Sequence, residues 1–286
     1  MNVKIIADSA CDLPDSYIEQ YEIERIPLTV HLEGQDYKDA VDIQSKTVYD
    51  AMRDGKEPKT SQPTPHAFKE MMGSYLENGQ PVLYLAFSSQ LSGTYQASTI
   101  AAEELKETYP NSTLEIMDTH CASLGYGLVV LRAAQAAQQG ESLEQVKDIA
   151  RYHMDHMEHI FTVDDLEYLK RGGRVSKTAA FVGTMLKIKP LLHVEDGKLI
   201  PLEKIRGSKK VLKRMLEVME ERGSDLANQQ IAISHGDDLE RAEQLAELIK
   251  EQYGNHQILI HPVGSSIGAH SGPGTIALFF LNTPYK

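Results

Sequence analysis

The sequence predicts an α/β protein with an N-terminal parallel α/β sheet domain followed by a C-terminal α+β domain. Two observations carry this. In the first half, short apolar runs of strand length alternate with helical stretches, the signature of a parallel sheet with crossover helices. In the second half, short runs pair across turns and the helices come late, the texture of an α+β domain. The change falls after the helical stretch Leu143–Met157, so the expected domains are residues 1–157 and 158–286. No long Gly/Ser-rich or Pro-rich linker marks the division, which predicts two firmly packed domains.

Taken in order, Val3–Ile6 is an apolar run closed by Asp8-Ser9, a buried strand with a polar turn at its carboxyl end. Asp12-Leu13-Pro14-Asp15 opens a helix, with Asp12 or Leu13 near its cap and Pro14 in its first turn. Glu24–Leu32 and the stretch after Gly34 read as an extended hairpin, and Ile43–Met52 and Pro65–Leu76 as helices. Val82–Phe87 is a second buried strand, Gly93–Tyr109 an alanine-containing helix, Leu114–Met117 a third strand and Ser123–Gln138 a long helix.

One internal echo stands out. Ile6-Ala7-Asp8-Ser9-Ala10-Cys11 and Ile116-Met117-Asp118-Thr119-His120-Cys121 share a shape: strand, acid, hydroxyl, one residue, thiol. Ligands of open parallel sheets bind beyond the carboxyl ends of the strands. Asp8-Ser9, Ser88-Ser89 and Asp118-Thr119 are therefore expected along one ligand-facing edge.

Beyond residue 157, Phe161–Val163, Leu191–His193 and Leu199–Leu202 read as strands, the last two flanking the hairpin turn Glu195-Asp196-Gly197-Lys198. Helices are expected at Ser208–Arg222 and Leu239–Gln252, with strands at Ile231–Ser234, Leu259–Val263 and Thr275–Phe280.

Composition narrows the function. Of 286 residues, 41% are hydrophobic and 24% charged, an ordinary globular balance with enough apolar residues for a sizeable core. No run approaches the roughly 18–20 apolar residues of a membrane span. An acid at position 8 interrupts the N-terminus too early for a signal peptide, and two cysteines make no disulfide framework, so a cytoplasmic location is expected. A net charge of -12 disfavours nucleic-acid binding. Basic residues nonetheless cluster twice, at Lys170, Arg171, Arg174, Lys177, Lys187 and Lys189, and at Lys204, Arg206, Lys209, Lys210, Lys213 and Arg214. Each cluster is either a solvated face or a docking surface.

Several motifs bear on chemistry. Gly264-Ser265-Ser266-Ile267-Gly268 matches a nucleophile elbow, but residues 269–286 offer His270 with no acid, so the triad order of that class cannot be completed. Gly272-Pro273-Gly274-Thr275-Ile276-Ala277 resembles a dinucleotide fingerprint in letters only, since it precedes a strand. No phosphate-cradling P-loop occurs, and no cofactor is expected. His153, His156 and His159, spaced by three, would let neighbouring pairs share a helix face; a metal site there is the lesser expectation beside an ordinary surface helix. Cys121 follows a histidine at the ligand edge, although a free cysteine is more often a small buried apolar residue. Thr60-Ser61-Gln62-Pro63 reads as a polar turn before a helix. Ser88–Gln96 ends a strand and opens a helix, where hydroxyls and free backbone N–H groups suit an anion. Ile267–Gly274 reads as a Gly-rich loop displaying His270.

Five of these segments occur together and in order: Asp8-Ser9-Ala10-Cys11-Asp12-Leu13-Pro14, Thr60-Ser61-Gln62-Pro63, Leu91-Ser92-Gly93-Thr94-Tyr95, Leu169-Lys170-Arg171-Gly172-Gly173-Arg174 and Gly268-Ala269-His270-Ser271-Gly272-Pro273-Gly274. With them the chain resembles the DegV family of bacterial fatty-acid-binding proteins over essentially its full length. The resemblance implies one long-chain fatty acid buried between the two domains, in a carrier without a catalytic site of its own. It implies that Thr60, Ser92 and His270 contact the carboxylate, with the amides of Gly93 and Thr94 adding to them and Ser61 beside them. It further implies that Arg206 meets a partner, a fatty-acid kinase that phosphorylates the bound acid for lipid synthesis. Two alternatives stay open: an acyl hydrolase or thioesterase using Ser92 or Cys121 with His270, and a lipid-responsive signalling module.

Overall fold

The computed structural model describes residues 2–175 and 188–285. The first half holds β1 (Lys4–Asp8), α1 (Asp15–Gln20), β2 (Glu24–Ile26), β3 (Thr29–Leu32), β4 (Gln35–Lys38), α2 (Ser45–Arg53), β5 (Lys59–Ser61), α3 (Pro65–Glu77), β6 (Val82–Ala86), α4 (Thr94–Thr108), β7 (Leu114–Asp118), α5 (Ser123–Gln138) and α6 (Leu143–His156). Four of its strands form a parallel sheet in the order β2-β1-β6-β7. Both faces of this sheet are covered, which is why its central strands are continuous apolar runs. Ile6, Val82, Tyr84 and Ala86 meet Phe68, Met72 and Leu76 of α3 and the alanines of α4. Ile5, Ala7, Leu83 and Leu85 point the other way, onto α5. The carboxyl ends of β1, β6 and β7 lie side by side, as the echoed motifs predict.

The second half adds β8 (Met157–Thr162), α7 (Glu167–Arg171), β9 (Ile188–Glu195), β10 (Lys198–Arg206), α8 (Ser208–Arg222), β11 (Ile231–His235), α9 (Leu239–Tyr253), β12 (Ile258–Pro262), α10 (Ser265–Ser271) and β13 (Ile276–Leu281). Six strands make one sheet in the order β10-β9-β8-β13-β11-β12, antiparallel except for β11 beside β12. Alternation along β13 assigns its two faces. Ile276, Leu278 and Phe280 pack with α8 and α9, while Ala277 and Phe279 join the core built around α5. Helix α5 is thus wedged between the two sheets and is buried on nearly every side. Its Gly125 and Gly127 admit the sheet residues and the Cys11 carbonyl, where a Cβ would collide.

The hairpin between β9 and β10 turns through Asp196 and Gly197, both at positive φ, as a two-residue type I′ turn requires. The tip reaches back to the first half: Ser88 Oγ donates to the Gly197 carbonyl at 2.8 Å.

Some expectations are corrected. Pro14 is the cap of α1 and lies outside its first turn, while Asp12, at φ 52, ends a short 3₁₀ turn at Ser9–Cys11. Glu24–Ile26 does not extend the hairpin, since it pairs in parallel with β1. Residues 59–61 form β5, an edge of the antiparallel sheet β4-β3-β5, where a turn was expected. His270 stands in the last turn of helix α10, in the segment expected to be a loop. Helix α6 ends at His156, so His159 lies in strand β8 and shares no helix face with His153 and His156. Lys177 and Lys187 lie outside the described residues.

Candidate functional site

Between the sheets and α10 lies a cavity of about 920 Å³, its mouth included. Its walls are largely apolar, with Leu28, Phe87, Leu91, Phe161, Ile267 and Phe279 contributing. Polar groups gather where β5, the start of α4, the end of α7 and the end of α10 converge.

Thr60 and His270 meet there: Thr60 Oγ1 and His270 Nε2 are 2.7 Å apart, although 210 residues separate them in sequence. Burial, with Arg174 adding to it, pulls the His270 pKa down to about 4, so the ring is neutral at pH 7. Gly172 packs directly on Nδ1, and a Cβ there would overlap the ring. The hydroxyl of Ser92 lies 2.7 Å from Thr94 Oγ1 and accepts the Thr94 backbone N–H at 3.3 Å. Gly93 caps α4, and Gln62 lies over it closely enough that a Cβ would stand 3.2 Å from its amide nitrogen. The first turn of this 15-residue helix adds free N–H groups and a partial positive charge.

Ser61, next to Thr60 on a strand, is held differently. Its Oγ lies 2.9 Å from His31 Nε2, and His31 Nδ1 lies 2.5 Å from Asp36 Oδ1. A carboxylate accepts, so Nδ1 donates to Asp36, and the Ser61 hydroxyl is left bonded to the other ring nitrogen.

Arg174 is the site residue that sequence reasoning placed elsewhere, among surface charges. It lines the cavity and forms no ion pair among the described residues. Its Nε donates to the Leu91 carbonyl at 3.1 Å and Nη1 to the Gly172 carbonyl at 2.5 Å. One guanidinium thereby ties the loop bearing Ser92 to the glycine that supports His270. The other described members of that cluster are paired on the surface: Lys170 with Glu167, Arg171 with Glu57 and Lys189 with Asp164. The signal was available in the Leu169–Arg174 motif, but charge type alone does not say which way a side chain turns.

Of the second basic cluster, Arg214 is engaged by Glu203, Glu217 and Glu221, while Arg206 is exposed at the end of β10. Cys121 is buried, its thiol pushed up by burial, and it lines a different pocket from His270. Cys121 is therefore not brought to His270, and it is Thr60, not Ser92, that bonds His270. His153 contacts the Ile149 carbonyl and His156 the side chain of Asn282. Among the described residues no group of three His, Cys, Asp or Glu is arranged to hold a metal, and no helix is long and apolar enough to cross a membrane.

Comparison with known proteins matches residues 2–283 to the model of the DegV family. The chain belongs to the DegV family. A DegV domain-containing protein of Clostridium perfringens is 44% identical, covering 97% of this chain and 96% of its own. Among solved structures, a fatty-acid-binding DegV family protein from Thermus thermophilus superposes with a TM-score of 0.89 at 31% identity, covering 98% of this chain and 99% of its own. A DegV lipid-binding protein from Thermotoga maritima gives 0.86 at 34% identity, with 98% of each chain covered. A stearic-acid-binding protein from Eubacterium ventriosum gives 0.87 at 27% identity, with 97% of each covered.

Proposed function

We propose that this chain is a carrier that binds one long-chain fatty acid in the cavity between its two domains, residues 1–157 and 158–286, and holds the carboxylate for a fatty-acid kinase. The observation that carries the reading is a largely apolar cavity whose lining brings Thr60, Ser92, His270 and Arg174 together. The fatty-acid-binding relatives support it.

The energetics divide between tail and head. Burying a methylene contributes about 0.8 kcal/mol, so a tail of roughly 15 gives an upper bound near 12 kcal/mol, reduced by ordering and association. The carboxylate loses hydration on entry and must regain hydrogen bonds. The Nε2–H tautomer of His270 donates to Thr60 Oγ1 and frees the Thr60 proton for the ligand. Ser92 and the amide of Gly93 supply further donors, with the Thr94 amide holding the Ser92 hydroxyl in place, and Arg174 supplies the counter-charge. The head group is then oriented at the mouth, within reach of a second protein. Arg206 belongs to the surface that protein meets, and the exchange takes place in the cytosol.

Mass spectrometry of a denatured extract of the purified protein tests the binding half. One fatty acid per chain is expected. Protein that carries none, and takes none up on incubation with palmitate or oleate, would sink the reading.

A further inference from the structure

Away from Thr60 and His270, the cavity lining includes His159 and Val194. Both also line a second pocket on the far side, among Thr119, Cys121, Asp196 and Asn282. Strand register gives the distance from the mouth. Thr275 Oγ1 donates to the Ser271 carbonyl at 3.2 Å, beside His270. From there the lining steps along β13 through Ala277 to Phe279, with Phe161 and His159 opposite them on β8. Four residues at about 3.3 Å each put His159 roughly 13 Å farther along the sheet than Thr275.

The His159 ring is held at both nitrogens and along one edge. Its Nε2 accepts the Ala122 backbone N–H at 3.2 Å, so the neutral ring carries its proton on Nδ1, 3.2 Å from the Met157 carbonyl. Phe279 packs edge-on against it at a centroid distance of 5.3 Å. Retreat toward α5 is blocked, because the space beside Gly125 is too small even for a Cβ against these two rings. Both nitrogens are used, and burial holds the ring uncharged, its pKa near 4.

We propose that His159 and Val194 form an end wall that sets the longest acyl chain the cavity accepts and suits a methyl terminus over a second polar group. The proposal rests on the fatty-acid reading above. A chain too long by one or two methylenes must break the Ala122–His159 hydrogen bond to advance. A dicarboxylic acid of fitting length would press its second carboxylate against a ring with no donor to spare.

Displacement of a fluorescent fatty acid by saturated acids of increasing length tests this. With the wild-type chain, affinity rises by up to about fourfold per methylene, reaches a limit and then falls. His159→Ala joins the cavity to the second pocket and moves the limit to acids at least two carbons longer. Val194→Ala thins the same wall, leaves the hydrogen bond in place and moves the limit in the same direction by less. Thermal unfolding identifies which variants are folded, and either folded variant decides the matter. An unmoved limit in the folded variants, or a wild-type chain with no limit, overturns the wall; failure of every acid to bind the wild-type chain overturns the carrier reading instead.

Discussion

At Thr60 and His270 the placement of one proton decides what the pair can do. With the proton on Nε2, His270 donates to Thr60 and the hydroxyl is free for an anion; with it on Nδ1, the Thr60 proton is spent on the ring. A carboxylate bound as proposed would select the first state. Thr60→Ala and Ser92→Ala are each expected to weaken fatty-acid binding by about tenfold, the scale of one hydrogen bond to a charged group, while most of the tail contribution survives. Titration with a fluorescent fatty acid checks this, and unchanged affinity in both variants would remove these residues from the head-group site. At this scale the motifs named three residues, Thr60, Ser92 and His270, that the fold brings to one cavity. The sequence was not legible for Arg174, whose burial depends on the loops it ties together.

At the scale of elements, Asp8 binds three of them. At the end of β1 it accepts from the Phe87 backbone N–H, from Tyr84 of β6 and from the Ala10 backbone, with Tyr126 of α5 close by. Burial outweighs these bonds and raises its pKa to about 6. An unfolded aspartate titrates near 3.9, so the folded chain holds the proton more tightly; the stability this gives is full below about pH 4 and lost as pH rises through about 6. Asp8→Asn removes that dependence. Its melting temperature relative to wild type should therefore be higher at pH 8 than at pH 5. Buried His153, His159 and His270, pulled down to about 4, act in the opposite direction but equally in both proteins, so they cancel in the comparison. A difference that is constant with pH would show that Asp8 does not titrate in this range. The strands and helices flanking this network were legible because apolar runs of four to six residues and long periodic stretches announce themselves. Strand β5 and helix α10 were not. A three-residue edge strand has no period, and Ser265–Ser271 is too short and too rich in small residues to show one.

For the whole molecule, the net charge of -12 makes a localised basic surface a means of orienting an acidic partner. Arg206, exposed at the end of β10, belongs to that surface in the proposed function. Arg206→Ala should leave fatty-acid affinity unchanged, slow acyl-phosphate formation with the kinase, and reduce the salt sensitivity of that rate. Equal rates across salt concentrations would take Arg206 off the docking surface. By itself the sequence determined the two kinds of sheet, most of their strands, and the polar residue types suited to a carboxylate, because hydrophobic periodicity and short motifs are local properties. Only the tertiary structure decided that Thr60 touches His270 across 210 residues, that Arg174 turns inward while its neighbours pair outside, and that His159 lines the cavity. Those facts arise from packing α5 between two sheets, and contacts between segments so distant in the chain leave no periodic trace in either one.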